Sequence, residues 1–488
     1  MFHEHPIKIL KYSMKNIWLL IFPLLRGINA FHFNAYDLYI WIKGAWFDLA
    51  VIGAIIIFGY VKWHFSTIDI QDNAIIHREG IIIKIRTAIP LKNISVTTTE
   101  YPMFLMPFNG VRFSCDTRSG FFKNVDMKIT VTKKVSEEIL SHMHDIDKTK
   151  INTDIEKPDV LSVILFSFLF SSGFSGVVYI ATFFVKGGNI AHDIISASLA
   201  RITETTEIIN DKLLIGIPAA AVGIGVLFVC AWLLSFVINL LRYSMFHMES
   251  DDDCISVTCG LTNRRVYRIK NKHINYIDLR QNLIMKIAGA VTINVSCAGF
   301  GSDSQYLPVI FPIKLEKDIK NMEKFGISDS LVPNFRPKLS SWWTYIWQAV
   351  FMCAAIFPAR NLSDRFFPQF AELSFFVAVM LEIPCIWLIA VKTAALLTSG
   401  ISVCDDKIII RCSKFTMFHT VIARRENMVK LEIKQNIFQK LNGKCSIDLF
   451  FCGETRSLYS VKAVYLRDAV KLADIIGCRI DNKYKQLL

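Results

Sequence analysis

Residues 268–295 read RIKNKHINYIDLRQNLIMKIAGAVTINV, and the chain writes this pattern three times. The third copy, at 423–449, is ARRENMVKLEIKQNIFQKLNGKCSIDL, and the first contains AIPLKNISV at 88–96. In each copy a basic strand leads to a short turn and a second strand. A Tyr-Pro or Gln-Asn pair with large apolar residues follows. A glycine (Gly110, Gly289, Gly443) then opens an alternating strand. The alternation in VTINVSC and CSIDLFF is that of half-buried antiparallel strands. Upstream of each pattern lies an Asp- or Asn-bearing turn: Gln71-Asp72-Asn73, Asp251-Asp252-Asp253 and Asp405-Asp406-Lys407. Downstream, each copy closes in an amphipathic helical stretch: KKVSEEILSHM, KLEKDIKNMEKF or VKAVYLRDAVKLADII. In the last of these, Val461, Val464, Leu466, Ala469, Val470, Leu472 and Ala473 fall close to one helical face.

Outward from these copies the repeat continues. A proline (Pro6, Pro158, Pro337) precedes a pair of apolar segments in every case. The segments are roughly 12–29 and 45–61, 160–185 and 213–241, and 342–358 and 373–397. A fixed repeat sets the architecture before any local reading does. The chain is 52% hydrophobic with mean hydropathy +0.38, which is apolar for 488 residues of soluble protein. VLSVILFSFLFSSGFSGVVYIATFFV and LLIGIPAAAVGIGVLFVCAWLLSFVINLL exceed the ~20 apolar residues that cross a bilayer. The first segment is short, contains Pro23 and meets Arg26 at once. It reads as a span or as a re-entrant or surface helix, and the threefold pattern favours the span.

Several short antiparallel strands closed by one helix is the order of a pleckstrin-homology (PH)-like barrel. The expected fold is therefore an α+β membrane protein with six transmembrane helices in three pairs. Each pair is followed by a cytoplasmic antiparallel PH-like β-barrel with a C-terminal helix. The expected boundaries are 1–61, 157–241 and 336–397 for the helix pairs, and 62–150, 242–330 and 398–488 for the PH-like domains. Lys and Arg crowd the β-rich regions and the N-terminal segment, with Lys62, Lys157, Arg242 and Lys338 close to the spans. Positive residues near span ends stay inside. Both termini and all three PH-like domains are thus expected in the cytoplasm. The 186–212 connection, with Ile190, Ile194, Ile195 and Leu199 on one helical face, is expected outside.

The combination of AIPLKNISV, the 268–295 and 423–449 stretches and the apolar pairs resembles the YdbS-like bacterial PH domain family. The likeness is to its large, three-copy polytopic membrane members and covers nearly the whole chain. Lys270-Asn271 and Ala423-Arg424 stand where the first copy has Pro-Leu, a departure that puts those turns in question. The resemblance implies a multi-pass protein of the bacterial cytoplasmic membrane. It implies no catalytic residues, and it implies a smaller one-domain PH-like relative as a partner.

Chemistry-bearing candidates are few. No phosphate-binding loop, dinucleotide fingerprint or nucleophile elbow occurs. The twelve cysteines include no C-x-x-C pair and read as buried, reduced, strand-packed thiols. No cofactor or metal set is expected. His142 and His144 stand two apart and diverge on a helix. Glu382, two residues before Pro384 in an apolar segment, is the candidate intramembrane polar site, since an acid in hydrocarbon is costly without a partner. Ser172/Gly176 and Ala219/Gly223 are small-residue pairs suited to helix packing. The charge of +13 collects on the β-rich regions. Lys84, Arg86 and Lys92, then Arg264, Arg265, Arg268 and Lys270, then Arg424 and Arg425, are the candidate contacts for anionic membrane lipids or a protein partner. Nucleic acid is not expected, because stacking aromatics do not interleave with these cations.

The expected function is a non-enzymatic integral membrane protein whose PH-like domains mediate assembly at the inner leaflet, in envelope maintenance or defence. Its expected partners are anionic lipids and either the smaller relative or a second copy. The alternative is a partner-dependent or proton-coupled exporter of an amphipathic or lipidic substrate.

Overall fold

A computed structural model describes residues 2–13, 35–118, 125–146, 154–171, 219–251, 253–297, 309–319, 333–404, 406–453 and 457–478. In chain order, β1 (Phe2–His3) precedes α1 (Ala35–His64), and β2 (Thr67–Gln71), β3 (Ala74–Glu79) and β4 (Ile85–Pro90) follow. Then come β5 (Ile94–Pro102), β6 (Gly110–Thr117), β7 (Met127–Thr132) and α2 (Lys133–Ile146). The second repeat holds β8 (Asp154–Glu156), α3 (Val160–Phe170), α4 (Ala219–Tyr243), β9 (His247–Ser250), β10 (Cys254–Cys259) and β11 (Asn263–Lys270). It continues with β12 (Tyr276–Gln281), α5 (Leu283–Ile287), β13 (Ala290–Ser296), β14 (Val309–Leu315) and α6 (Glu316–Ile319). The third holds α7 (Trp342–Phe366), α8 (Ala371–Thr398), β15 (Gly400–Cys404), β16 (Lys407–Lys414) and β17 (Met417–Arg424). It ends in β18 (Met428–Lys434), α9 (Ile437–Leu441), β19 (Lys444–Phe451), β20 (Ser457–Tyr465) and α10 (Leu466–Ile476).

Each repeat folds as two three-stranded layers over one apolar core. Ile68, Ile75, Phe113 and Ile129 fill the first, Ile255, Ile269, Ile293 and Val295 the second, and Ile408, Val421, Ile447 and Val461 the third. Burying one such side chain fully contributes ~1.5–3 kcal/mol. The alternation seen in sequence is what puts these residues on one face.

The sheets do not stop at the repeat boundaries. β5 of the first repeat pairs with β11 of the second, from Asn263↔Pro102 to Ile269↔Val96. β12 of the second pairs with β17 of the third, from Tyr276↔Ala423 to Gln281↔Phe418. The result is a seven-stranded sheet, β7-β6-β5-β11-β10-β9-β8, and a six-stranded sheet, β14-β13-β12-β17-β16-β15. β2, β3 and β4 with β1, and β18, β19 and β20, close the two ends as smaller sheets. An unpaired edge strand is a template for unwanted association. Here the inner edges satisfy one another, so neighbouring sandwiches are joined by backbone hydrogen bonds.

A second regularity concerns the segments before the helices. β1 pairs with β2, β8 with β9, and Phe335 bridges Ile401. The residue just ahead of each repeat's helices therefore lies beside the first strand after them. Every helical excursion leaves and re-enters the sandwich at the same end.

The six spans in three pairs are not supported. Among the described residues one helical stretch is long and apolar enough to cross a membrane, Val377–Thr398 within α8. Ala50–His64, Val160–Phe170 and Leu227–Tyr243 are apolar but fall short of that length. The expectation counted short apolar segments, 45–61 and 342–358 among them, and the helices that contain them continue into charged residues. Asp37, Lys43 and Asp48 occupy the first half of α1, and Arg360, Asp364 and Arg365 the last turns of α7. Most of the 12–29 segment, the second half of 160–185, the Ser172/Gly176 pair and the 186–212 connection lie outside the described residues. The closed barrel of each repeat is corrected too, because its outer strand is shared with a neighbour's sheet.

Candidate functional site

Strand direction divides the platform into two ends. α1, α4 and α8 run directly into β2, β9 and β15, which defines a helix-proximal end. The opposite, distal end carries the turn residues Asp72 and Asn73, Asp251 and Asp253, and Asp406. It also carries the 3₁₀ turns Leu91–Asn93, Asn271–His273 and Arg425–Asn427. An eight-residue strand such as β11 separates the two ends by about 25 Å.

This division sorts the candidate cations. Lys84 and Arg86 lie at the start of β4, and Arg264 at the start of β11, all proximal and exposed. Lys92 and Arg424 are exposed at the distal end, and Lys270 is half-buried there. Arg268 and Lys270 line a shallow cleft with Ile94, Thr97, Asp251 and Asp253. Arg265 is buried and pairs with Glu100 at 3.1 Å across the β5–β11 joint. Arg425 donates to the carbonyls of Ile475 and Ile476, closing the C-terminus of α10. The cations do not converge on one patch; two of the nine hold the fold.

Sequence reasoning missed the partners that make these joints. Asp278, on β12, is fully buried. It accepts from Arg280 Nε at 2.8 Å and from the Tyr459 hydroxyl at 3.3 Å, and lies 3.0 Å from His419 Nδ1 on β17. Burial pushes its carboxyl up, but the hydrogen bond and charge of His419, with Arg280, outweigh this and hold it below the usual carboxylate range. Glu4 is the counterpart at the N-terminal edge. It accepts from Ser66 Oγ at 2.7 Å, pairs with Lys8 and faces His77 at 3.5 Å. Burial raises it, while His77 and Lys8 together hold it low. An isolated Asp in a β-alternation carries no sign in sequence that its partner lies 141 residues away.

α7 and α8 form an antiparallel hairpin standing on the proximal end. Its base is packed: Tyr345 and Ile346 meet Val391, Ala395 and Leu396, with Phe418 and Leu283 beneath. Above the base the hairpin's surface is apolar and exposed, as at Phe351, Phe357, Val377, Leu381 and Ile386. Its tip is polar, with Arg360 3.5 Å from Asp364 and Asp364 bonded to Ser374. Glu382 sits between: its Oε2 accepts from Cys353 Sγ at 3.3 Å, and its buried Oε1 has no partner among the described residues. Pro384 lies inside α8 and leaves the Met380 carbonyl without its usual donor.

The strand thiols Cys115, Cys259, Cys412 and Cys445 are buried, and burial pushes Cys259 up to about 11 and Cys412 to about 12. Cys254 and Cys404 are half-buried and Cys452 is exposed. Among the described residues no three His, Cys, Asp or Glu side chains converge as metal ligands would.

The strand–turn–strand order around these joints has a known counterpart. Residues 18–145 and 212–323 match the family described as bacterial PH domain. Both stretches belong to that family. The third repeat lies outside the matched residues, yet shares the order of strands, apolar turn, strands and closing helix with the other two bacterial PH units. The chain is also similar to the UPF0699 transmembrane protein YdbT of Bacillus subtilis (strain 168), 22% identical over 291 residues. The alignment spans about half of each chain, 54% of this one and 56% of YdbT.

Proposed function

We propose that this is a non-enzymatic integral membrane protein that holds a rigid row of PH-type sandwiches at the inner leaflet and uses it to assemble a complex. The observation that carries this reading is the pairing of β5 with β11 and β12 with β17, which joins three interaction-type units into one body beneath an outward-apolar hairpin. α8 is the membrane span, with α7 beside it, and 22 residues cover ~33 Å. The name of YdbT, a transmembrane protein, agrees with this placement. The Lys and Arg excess of the β-rich regions supports a cytoplasmic position for them and for both termini in a bacterial cell. The proximal cations Lys84, Arg86 and Arg264 then face anionic lipid, and Lys92, Lys270 and Arg424 face a protein partner. That partner is a smaller one-domain PH-like membrane protein or a second copy. Cross-linking in cells, followed by purification of the tagged chain in mild detergent, should recover such a partner stoichiometrically. A lone monomer after cross-linking would sink the assembly reading.

A second reading, partner-dependent or proton-coupled export of an amphipathic or lipidic substrate, draws support from the unpartnered Oε1 of Glu382. Glu382→Gln keeps the shape and removes the titratable group. Full complementation of a deletion phenotype by this variant, inserted at normal levels, excludes the proton-coupled role.

A further inference from the structure

We propose that the proximal turns of the sandwiches form a second membrane contact, an apolar sole that sits in the headgroup–acyl boundary of an anionic leaflet. The inference rests on the membrane placement above and adds a lipid-binding surface to it.

The sole is built from turns that recur in the repeats. The β3–β4 turn carries Ile82 and Ile83, 95% and 76% exposed. Its equivalent in the third repeat, between β16 and β17, carries Phe415 at 79%. The second recurring turn carries Phe104 in the first repeat, Ile287 in α5 and Phe438 in α9, the last 77% exposed. Turns facing water are normally made of Gly, Pro, Asn, Asp and Ser. The distal turns of the same strands follow that rule, with Asp72, Asn73, Asp251, Asp253 and Asp406. Among the described turns, these distal ones are thus polar and the proximal ones named above apolar. A row of exposed apolar groups on one face marks a contact surface.

The occupant follows from where the row lies. Lys444 Nζ donates to Ser340 Oγ at 3.1 Å, which sets the α9 turn beside the start of α7. Leu283 of α5 packs against the base of the hairpin, and Lys392 of α8 donates to the Phe415 carbonyl at 2.9 Å. Trp342 and Trp343 are exposed at the same level, where aromatic residues mark a membrane–water boundary. The turns therefore continue the hairpin's lipid-facing surface sideways. Lys84, Lys440 and Lys444 flank them, and each cation beside an anionic leaflet adds to the attraction.

The test uses the full chain in vesicles of phosphatidylglycerol and phosphatidylethanolamine, with a nitroxide on a single cysteine in a background lacking the native ones. Labels are placed at Phe438→Cys, Ile82→Cys, Leu381→Cys in the hairpin and Asp474→Cys at the distal end. At 438 and 82, collisions with oxygen should exceed those with a water-soluble nickel chelate, by less than at 381, while 474 reports water. If 381 reports lipid but 438 and 82 match 474, the sole is refuted and the hairpin anchor stands. If 438 and 82 are shielded from both reagents, protein covers them and the lipid assignment is overturned. If 381 reports water, the membrane placement fails and the sole with it. Hydrogen exchange on the unaltered protein guards against misfolding of the cysteine-free chain. Amides 81–85 and 437–441 should exchange more slowly in lipid nanodiscs than in amphiphilic polymer, and equal rates would refute the sole.

Discussion

At the residue scale the joint between the second and third sandwiches depends on Asp278. Its carboxylate answers Arg280, His419 and Tyr459 at a buried position. Removing one member of a buried ion set leaves the others uncompensated, at a cost of about 3–5 kcal/mol. Asp278→Ala should lower the melting temperature of the detergent-purified chain and speed amide exchange in β12 and β17 before other strands. Unchanged exchange there would remove Asp278 from this role. The acid dependence follows from the direction of its shift. A carboxyl held low in the fold contributes stability above its unfolded value, about 3.9, and loses it as pH falls toward the folded value. Protection of the β12 and β17 amides, measured relative to intrinsic exchange at each pH, should therefore fall below about pH 4, and Asp278→Ala should show less of that loss. The cations were legible in sequence as residues, but their roles were not. Arg264 and Arg265 are neighbours in sequence, yet one is exposed and the other meets Glu100 across a joint.

At the element scale, most strands and the closing helices of the first and third repeats were legible because period-2 and period-3.6 patterns are local. But Val461 and Val464, read as part of the last helical face, belong to β20, and α10 begins only at Leu466. The turns were partly so. Gly289 and Gly443 open their strands in the left-handed region, at φ 63° and 58°, as the repeated glycine implied. In the first repeat the left-handed residue is Asn109, one position before Gly110. A Cβ at Gly110 would stand 3.4 Å from the His5 ring, an ordinary contact, so the special backbone conformation of this turn falls on Asn109 alone. A Cβ at Gly443 meets nothing, so Gly443→Ala should cost only the left-handed penalty, roughly 1–2 kcal/mol. Gly80, at φ 105°, would set a Cβ 1.9 Å from the Ile83 carbonyl oxygen. Gly80→Ala should therefore destabilise clearly more than Gly443→Ala in parallel urea melts. The reverse order would contradict the turn geometry. The helix pairs were misread because short apolar segments such as 45–61 and 342–358 were counted as spans, and what extends α1 and α7 beyond those segments is charged.

At the scale of the whole molecule, the repeat was legible and the joining of its copies was not. Which edge strand pairs with which is a long-range choice. Nothing in TTTEYP or NRRVYRIK states that they face each other, and the buried Glu100–Arg265 pair is an ion pair across that joint. The continuous sheets are the centre of the functional proposal, because they make three units one platform. The direct test is a disulfide across the first joint, at Tyr101 and Arg264, which are register partners in β5 and β11. In membranes under mild oxidation, Tyr101→Cys with Arg264→Cys should cross-link within one chain, identified by mass spectrometry of the joined peptides. Tyr101→Cys with Val266→Cys, two residues out of register, should link poorly. No intrachain link at 101–264, or equal linking in the two variants, would contradict a platform built by strand pairing between sandwiches.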